Sequence, residues 1–193
     1  MSNAVAQLRK HLRPGQVYRR ADLARFSSAV DRHLQQLMAD KTLQKLRNGV
    51  YYYPKKASFG AVPPDDEKLV STFLKDDNFY LASLNAYNSL GVGTTQLYNE
   101  RLVYNHKRDG HFTLAGRPFF FVKRPRFPKT ASPEFLLVDL MNNLDFLAED
   151  KEKLKDNVAK KARSMDQQKL MKAVRDYAGV RSKKFFESVF ANA

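Results

Sequence analysis

Between Gln16 and Pro54 the chain reads QVYRRADLARFSSAVDRHLQQLMADKTLQKLRNGVYYYP. Two helical patterns flank the turn Phe26-Ser27-Ser28, and a strand–Asn48-Gly49–strand unit follows at once. That order constrains the fold more than any other feature. It predicts a winged helix-turn-helix, an arrangement whose ligand is duplex nucleic acid.

The local chemistry agrees with this reading. Ala21, Leu23, Ala24 and Phe26 make a short, largely apolar first helix. Ser27 or Ser28 is suited to cap the next helix, and Ser28 with Asp31 has the spacing of a capping box. From Val30 the apolar residues recur at Leu34, Leu37 and Met38, so this face is expected in the core. The opposite face carries Asp31, Arg32, Gln35, Gln36 and Ala39. Arg and Gln pair with guanine and adenine edges in the major groove; an ordinary solvated face has the same composition. Asn48-Gly49 is the preferred pair of a type I′ hairpin turn, in which both central residues take positive φ. Lys45 and Arg47 on the first strand are placed to flank a phosphate backbone, or to form the basic tip of a surface hairpin.

Charge is concentrated in the same place. The net charge is +14, and residues 1–57 hold twelve Lys/Arg against three Asp. A local positive field attracts a polyanion and releases its counterions on binding. No amphipathic helix with exposed bulky apolar residues favours an anionic membrane instead. There is no Cys, which excludes disulfides and thiolate metal sites and fits a reducing cytoplasm. No apolar run is long enough to cross a bilayer, and the first residues lack a signal-peptide core. The expected location is therefore cytoplasmic.

The remaining pattern predicts an α+β chain in two modules. Residues 1–57 form the winged helix-turn-helix, opening with a helix over Val5–Leu12 and a short strand at Gln16–Tyr18. Residues 58–64, with Gly60 and Pro63-Pro64, read as a linker. Residues 65–193 form a mixed module with a small antiparallel sheet and a helical C-terminal part. It begins with a helix over Glu67–Lys75. Ser83 is expected to cap a helix that Gly91 stops. Three strands follow within 100–124: Glu100–His106, His111–Ala115 and Arg117–Lys123. Residues 132–193 are helical, with Ser132 as cap, Pro133 at the first position and Gly179 as a break.

Beyond the hairpin, the segment Tyr80-Leu81-Ala82-Ser83-Leu84-Asn85-Ala86-Tyr87-Asn88-Ser89-Leu90-Gly91, followed by Thr94-Thr95-Gln96, resembles the AbiEi-type antitoxins of type IV toxin–antitoxin systems. In that family a G-x-Y hairpin, here Gly49-Val50-Tyr51, leads to such a helix and then a β-rich region. Tyr80, Ser83 and Gly91 match in kind; Tyr87 stands where a small or apolar residue is common. The resemblance covers roughly Gln16 to Lys123, and Tyr177-Ala178-Gly179 before Phe185-Phe186 is similar to the family's closing helices. None of these motifs is catalytic, and Tyr80, Leu84, Tyr87 and Leu90 have the spacing of core residues. The resemblance implies a non-enzymatic transcriptional repressor of its own operon that counteracts a nucleotidyltransferase toxin. Its partners would be operator DNA and that toxin. By helix and wing position, Arg32, Gln35 and Gln36 would read bases with Ser28 at the helix start. Arg19, Arg20, Lys45 and Arg47 would hold phosphates, and Asn48 lies at the wing tip.

No cofactor is implied. His106 and His111 flank a turn containing Asp109, but the spacing matches no recognised metal-ligand pattern. Gly91-Val92-Gly93-Thr94-Thr95 lacks the Lys and spacing of a phosphate loop. Glu149, Asp150 and Glu152 cluster in a charged helical region, as a solvated face does. A metal-dependent nucleic-acid-processing enzyme using Asp109 and its neighbours is the alternative from another class. A stand-alone winged-helix regulator without a toxin, binding DNA, RNA or protein, is a third reading.

Overall fold

A computed structural model describes residues 3–58 and 60–191, so the outermost ends of the two expected domains and Phe59 of the expected linker lie outside the described residues. The chain is mixed α+β, with small antiparallel sheets and a helical C-terminal part. It forms two compact units, residues 1–78 with 111–119 and residues 79–110 with 120–193.

The first unit opens with α1 (Asn3–Lys10), β1 (Gln16–Arg19) and α2 (Arg20–Leu23), which tightens into a 3-10 turn over Ala24–Phe26. Then come α3 (Val30–Ala39), β2 (Gln44–Arg47) and β3 (Val50–Tyr53). The sheet has the order β1-β3-β2, with Val17 and Gln44 both opposite Tyr52 on the central strand. The helical spacing read from the sequence sets the core: Val5 and Leu8 of α1, Leu34 and Leu37 of α3, and Leu23, Leu43 and Tyr51 are buried together. Each such Leu contributes about 1.5–3 kcal/mol through removal of apolar surface from water. Phe26, at the end of the short apolar helix, is 47% exposed and stacks on the His11 ring at 3.9 Å between centroids.

The segment expected as a linker is partly a strand. β4 (Lys55–Ala57) pairs with β5 (Gly60–Val62), and the Tyr52 hydroxyl donates to the Val62 carbonyl at 2.7 Å. The Gly60 and Pro63-Pro64 pattern points to a surface segment, but the backbone groups of Gly60–Val62 have partners across the turn in Lys55–Ala57. α4 (Asp66–Leu74) follows, capped by Asp65, whose carboxylate accepts from the Lys68 amide at 3.0 Å. It buries Leu69, Val70, Phe73 and Leu74 and packs on β1, so the first unit continues through Asn78.

In the second unit β6 (Phe79–Ala82) runs antiparallel to β7 (Arg101–Asn105), with Tyr80 opposite Tyr104. β8 (Gly110–Leu114) and β9 (Arg117–Lys123) follow in a sheet of order β6-β7-β9-β8, residues 111–119 of these strands being counted with the first unit. Between β6 and β7 the expected α-helix is a 3-10 helix over Leu84–Leu90, and Ser83 makes no capping bond. The cause is tertiary. Asn85 exchanges two hydrogen bonds with the Tyr98 backbone (2.9 and 2.7 Å), and Tyr87 is drawn inward by its hydroxyl. Gly91 ends the segment with φ +66, as expected.

The helical part comprises α5 (Pro133–Asn142), α6 (Lys151–Arg163), α7 (Gln167–Tyr177) and α8 (Val180–Ala191). Ser132, Asp150 and Asp166 cap the first three through bonds of 3.1, 2.8 and 3.0 Å to Phe135, Lys153 and Lys169 amides. The core of this unit gathers Leu137, Val138, Leu140, Val158, Leu170 and Phe186. Among the described residues no helix is long and apolar enough to cross a membrane.

Candidate nucleic-acid interface

α3 carries the candidate base-reading side chains. Val30, His33, Leu34 and Leu37 are buried on one side. Arg32, Gln35, Gln36 and Ala39 are exposed on the other, at the i, i+3, i+4, i+7 positions of one helical stripe. The sequence pattern therefore brings Arg32, Gln35 and Gln36 together. Ser28 is exposed just before the helix but does not cap it. The N-cap position is Ala29, Ser27 Oγ bonds His33 Nδ1 at 2.7 Å, and Asp31 is committed elsewhere. The expected capping box is thus replaced by a Ser27–His33 lock that joins the turn to the buried face of α3.

Arg20 ties the three parts of the site together. Its backbone N–H donates to the Gly49 carbonyl at 2.9 Å, anchoring the hairpin turn to the start of α2. Its guanidinium grips Asp31 of α3 through two parallel bonds of 2.6 and 2.5 Å. This hydrogen bonding to Arg20 holds the Asp31 carboxyl below the usual carboxylate range. Arg19 makes the same fork with Asp22 at 2.7 and 2.8 Å. Arg9 closes on Asp40 and donates to Thr42 Oγ1 at 3.1 Å. All three acids of residues 1–57 therefore sit against arginines, and the other Lys and Arg of that segment carry its excess charge.

The hairpin differs from the expected type. Of its central pair only Gly49 takes positive φ, at +77, whereas a type I′ turn needs it at both. The register shifts between Lys45 and Arg47, so the strand bulges before the turn. Lys45 and Asn48 are exposed. Arg47 is half-buried, with its guanidinium 4.5 Å from the centroid of the Phe73 ring. Of the expected phosphate-binding groups, Lys45 thus stands in solvent, while Arg19, Arg20 and Arg47 have partners within the unit.

No protein-family model matches this chain, and no curated protein matches it. Among solved structures it is similar to the crystal structure of the RV2827C protein from Mycobacterium tuberculosis, with a TM-score of 0.57 at 15% identity, over 97% of this chain and 74% of that one. At that identity the likeness is one of fold.

The second unit contains a buried polar centre that the sequence reading missed. Asp139 of α5 is 2% exposed and accepts from the hydroxyls of Tyr87 and Tyr104, both at 2.7 Å. Asn143 donates to the same two hydroxyls at 2.9 and 2.7 Å and to the Asp139 carbonyl at 2.9 Å. Burial pushes the Asp139 carboxyl up, against the opposing pull of the two tyrosines and of the Arg124 charge. The signal was present: Asp139 and Asn143 interrupt an otherwise apolar run, and a buried acid needs donors.

The groups of the catalytic alternative have structural occupations. His106 stacks on Phe127 at 4.8 Å, and Asp109 accepts from the Lys123 amide at 3.2 Å. Glu149 accepts from the Thr95 and Gln96 amides at 3.2 and 3.4 Å and from the Tyr98 hydroxyl at 2.9 Å. Asp150 caps α6, and Glu152 pairs with Lys155 at 2.7 Å. Among the described residues no group of three or more His, Asp or Glu side chains converges as a metal ion requires.

Proposed function

We propose that the first unit is a winged helix-turn-helix that binds duplex DNA, and that the protein is a transcriptional regulator. In this reading α3 enters the major groove. Arg32, Gln35 and Gln36 meet base edges, while Lys45 and Asn48 reach the flanking backbone from the hairpin. The observation that carries it is the exposed Arg32–Gln35–Gln36 stripe, fixed by Arg20 relative to a hairpin with exposed Lys45 and Asn48. Arg19 and Arg20 position elements rather than serving first as phosphate ligands. The resemblance to AbiEi-type antitoxins extends the proposal: the regulator represses its own operon and counteracts a nucleotidyltransferase toxin through the second unit.

The test is a mobility-shift titration of the full chain against DNA from upstream of its own reading frame, with scrambled duplex as competitor. Replacing Arg32 and Gln35 together with Ala should cost about 1–3 kcal/mol for each base edge left unread and erase preference for the upstream sequence. Unchanged operator affinity in that double variant refutes the docking. Co-expression with a nucleotidyltransferase encoded next to this chain tests the antitoxin role; failure to relieve its toxicity removes that half of the reading.

A further inference from the structure

The second unit holds a cleft of about 510 Å³ that the DNA-binding reading does not use. Its walls bring together four cationic side chains from separate parts of the chain: Arg124 after β9, Lys151 and Lys155 on α6, and Arg181 on α8. Asp145 is the acid among the lining residues. It accepts from Lys151 at 2.8 Å and from Arg181 at 3.2 Å, and Lys155 pairs with Glu152 at 2.7 Å, so the four cations face two acids and two positive charges remain in excess. The hydrogen bond from Lys151 holds the Asp145 carboxyl low, so it stays charged at neutral pH. The Arg124 guanidinium lies over the Tyr104 ring, 5.4 Å from its centroid.

Met141, Leu144 and Phe185 form an apolar part of the lining. Gly179, Val180 and Ser182 also line it, so the first turn of α8 opens onto the cleft. The first backbone N–H groups of a helix have no partner within it; the Gly179 amide before them is already bonded to Asn142 Oδ1 at 2.8 Å. Four cationic groups with two positive charges in excess suit a multiply charged anion better than a single carboxylate. An apolar wall beside them suits a flat or aliphatic body attached to that anion. A cleft of this volume lies in the range that accommodates small organic ligands.

We propose that this cleft binds a nucleoside phosphate, with the phosphates among Arg124, Lys151, Lys155 and Arg181 and the base against Phe185 and Met141. Asn142, the lining amide, is engaged by the α7–α8 turn through Gly179 and Tyr177, which leaves it unavailable for base edges. Recognition is therefore graded by phosphate number and indifferent to the base. This inference does not depend on the DNA-binding reading.

The experiment is calorimetric titration of the full chain at physiological salt with AMP, ADP, ATP, CTP and inorganic pyrophosphate. The expected result is saturable one-to-one binding that tightens from AMP to ATP. ATP and CTP should agree within threefold, and pyrophosphate should bind more weakly than ADP. Lys155→Ala combined with Arg181→Ala should weaken ATP binding at least tenfold, whereas Lys45→Ala should leave it unchanged. Amide chemical shifts in the wild-type chain supply a readout that needs no variant: ATP should move Val180, Arg181 and Ser182 and spare residues 30–39. Absence of saturable binding at millimolar ATP overturns the proposal. So does equal weakening by Lys45→Ala, which would mean diffuse attraction to a basic surface. Pyrophosphate as tight as ADP overturns the role of the apolar wall.

Discussion

The Arg20 guanidinium and the Asp31 carboxylate meet through two parallel hydrogen bonds of 2.6 and 2.5 Å, joining α2 to the first turn of α3. The same residue's backbone holds the hairpin turn through Gly49. The pair is exposed, so its value lies in geometry and charge rather than in stability. Asp31→Asn removes one negative charge beside the proposed groove-facing stripe and releases Arg20 toward a phosphate. Affinity for duplex DNA of any sequence should rise, with the slope of log affinity against log salt steepening by about one. A filter-binding salt series measures this. An unchanged slope would show that Arg20 is held for the fold alone.

Lys45 and Arg47 lie on one short strand yet should behave differently. Lys45 stands in solvent, so Lys45→Ala should weaken binding to all duplexes alike and flatten the salt slope by about one, without moving the denaturation midpoint. Arg47 lies over the Phe73 ring, and Arg47→Ala should instead cost about 0.5–1 kcal/mol of stability. Urea denaturation beside the same binding series separates them. Equal effects of both variants on the salt slope would contradict the assignment.

Asp139 predicts a pH effect of defined sign. Burial raises its pKa in the folded chain above the unfolded value of 3.8. Between those two values the folded state binds more protons than the unfolded one. The stability that Asp139 contributes is therefore fully present below the unfolded pKa and declines as pH rises through the folded pKa. Asp31 and Asp145 have lowered values and contribute in the opposite sense, their stability being lost toward acid. The comparison with Asp139→Asn isolates the one group. Relative to that variant, the wild type should be most stable at the acid end and lose ground as pH rises. A stability difference constant from about pH 3 to about pH 8 would show that Asp139 does not titrate with folding. Tyr104→Phe removes one donor to the same carboxylate and should cost about 1–3 kcal/mol.

These contacts also show where sequence reading reaches. The amphipathic period of α3, the stop at Gly91 and the inward Tyr87 follow from local pattern and backbone stereochemistry, and the structure has each of them. The Arg19–Asp22 pair sits at helical i, i+3 spacing and was open to the same logic. Arg20–Asp31 and Arg47–Phe73 were not, since the chain must fold before either pair meets. Ser83 and Asn48 failed for a related reason. At these two positions long-range bonds from Asn85 and a bulge at Lys45–Arg47, respectively, override the local preference. Asp139 was legible as a polar residue in an apolar face, but its partners, lying on the 3-10 segment and on β7, were not.

Asn142 closes the turn between α7 and α8 with both ends of its amide. Its Nδ2 donates to the Tyr177 carbonyl at 2.9 Å, and its Oδ1 accepts from the Gly179 amide at 2.8 Å. The α7 helix ends at Tyr177 and the Ala178 backbone after it is extended, so these are the groups left over where one helix stops and the next has not begun. A Cβ at Gly179 would lie 3.4 Å from Asn142 Oδ1, at the edge of ordinary van der Waals contact. Asn142→Ala leaves a partly buried carbonyl and amide without partners and should cost about 1–3 kcal/mol. The urea midpoint should fall with an unchanged m-value, and the Gly179 amide should exchange its hydrogen faster than in the wild type. Because α8 places Arg181 and Ser182 in the cationic cleft, the same variant should also loosen ATP binding there. A stability loss without faster exchange at Gly179 would mean that the turn is held by packing rather than by Asn142.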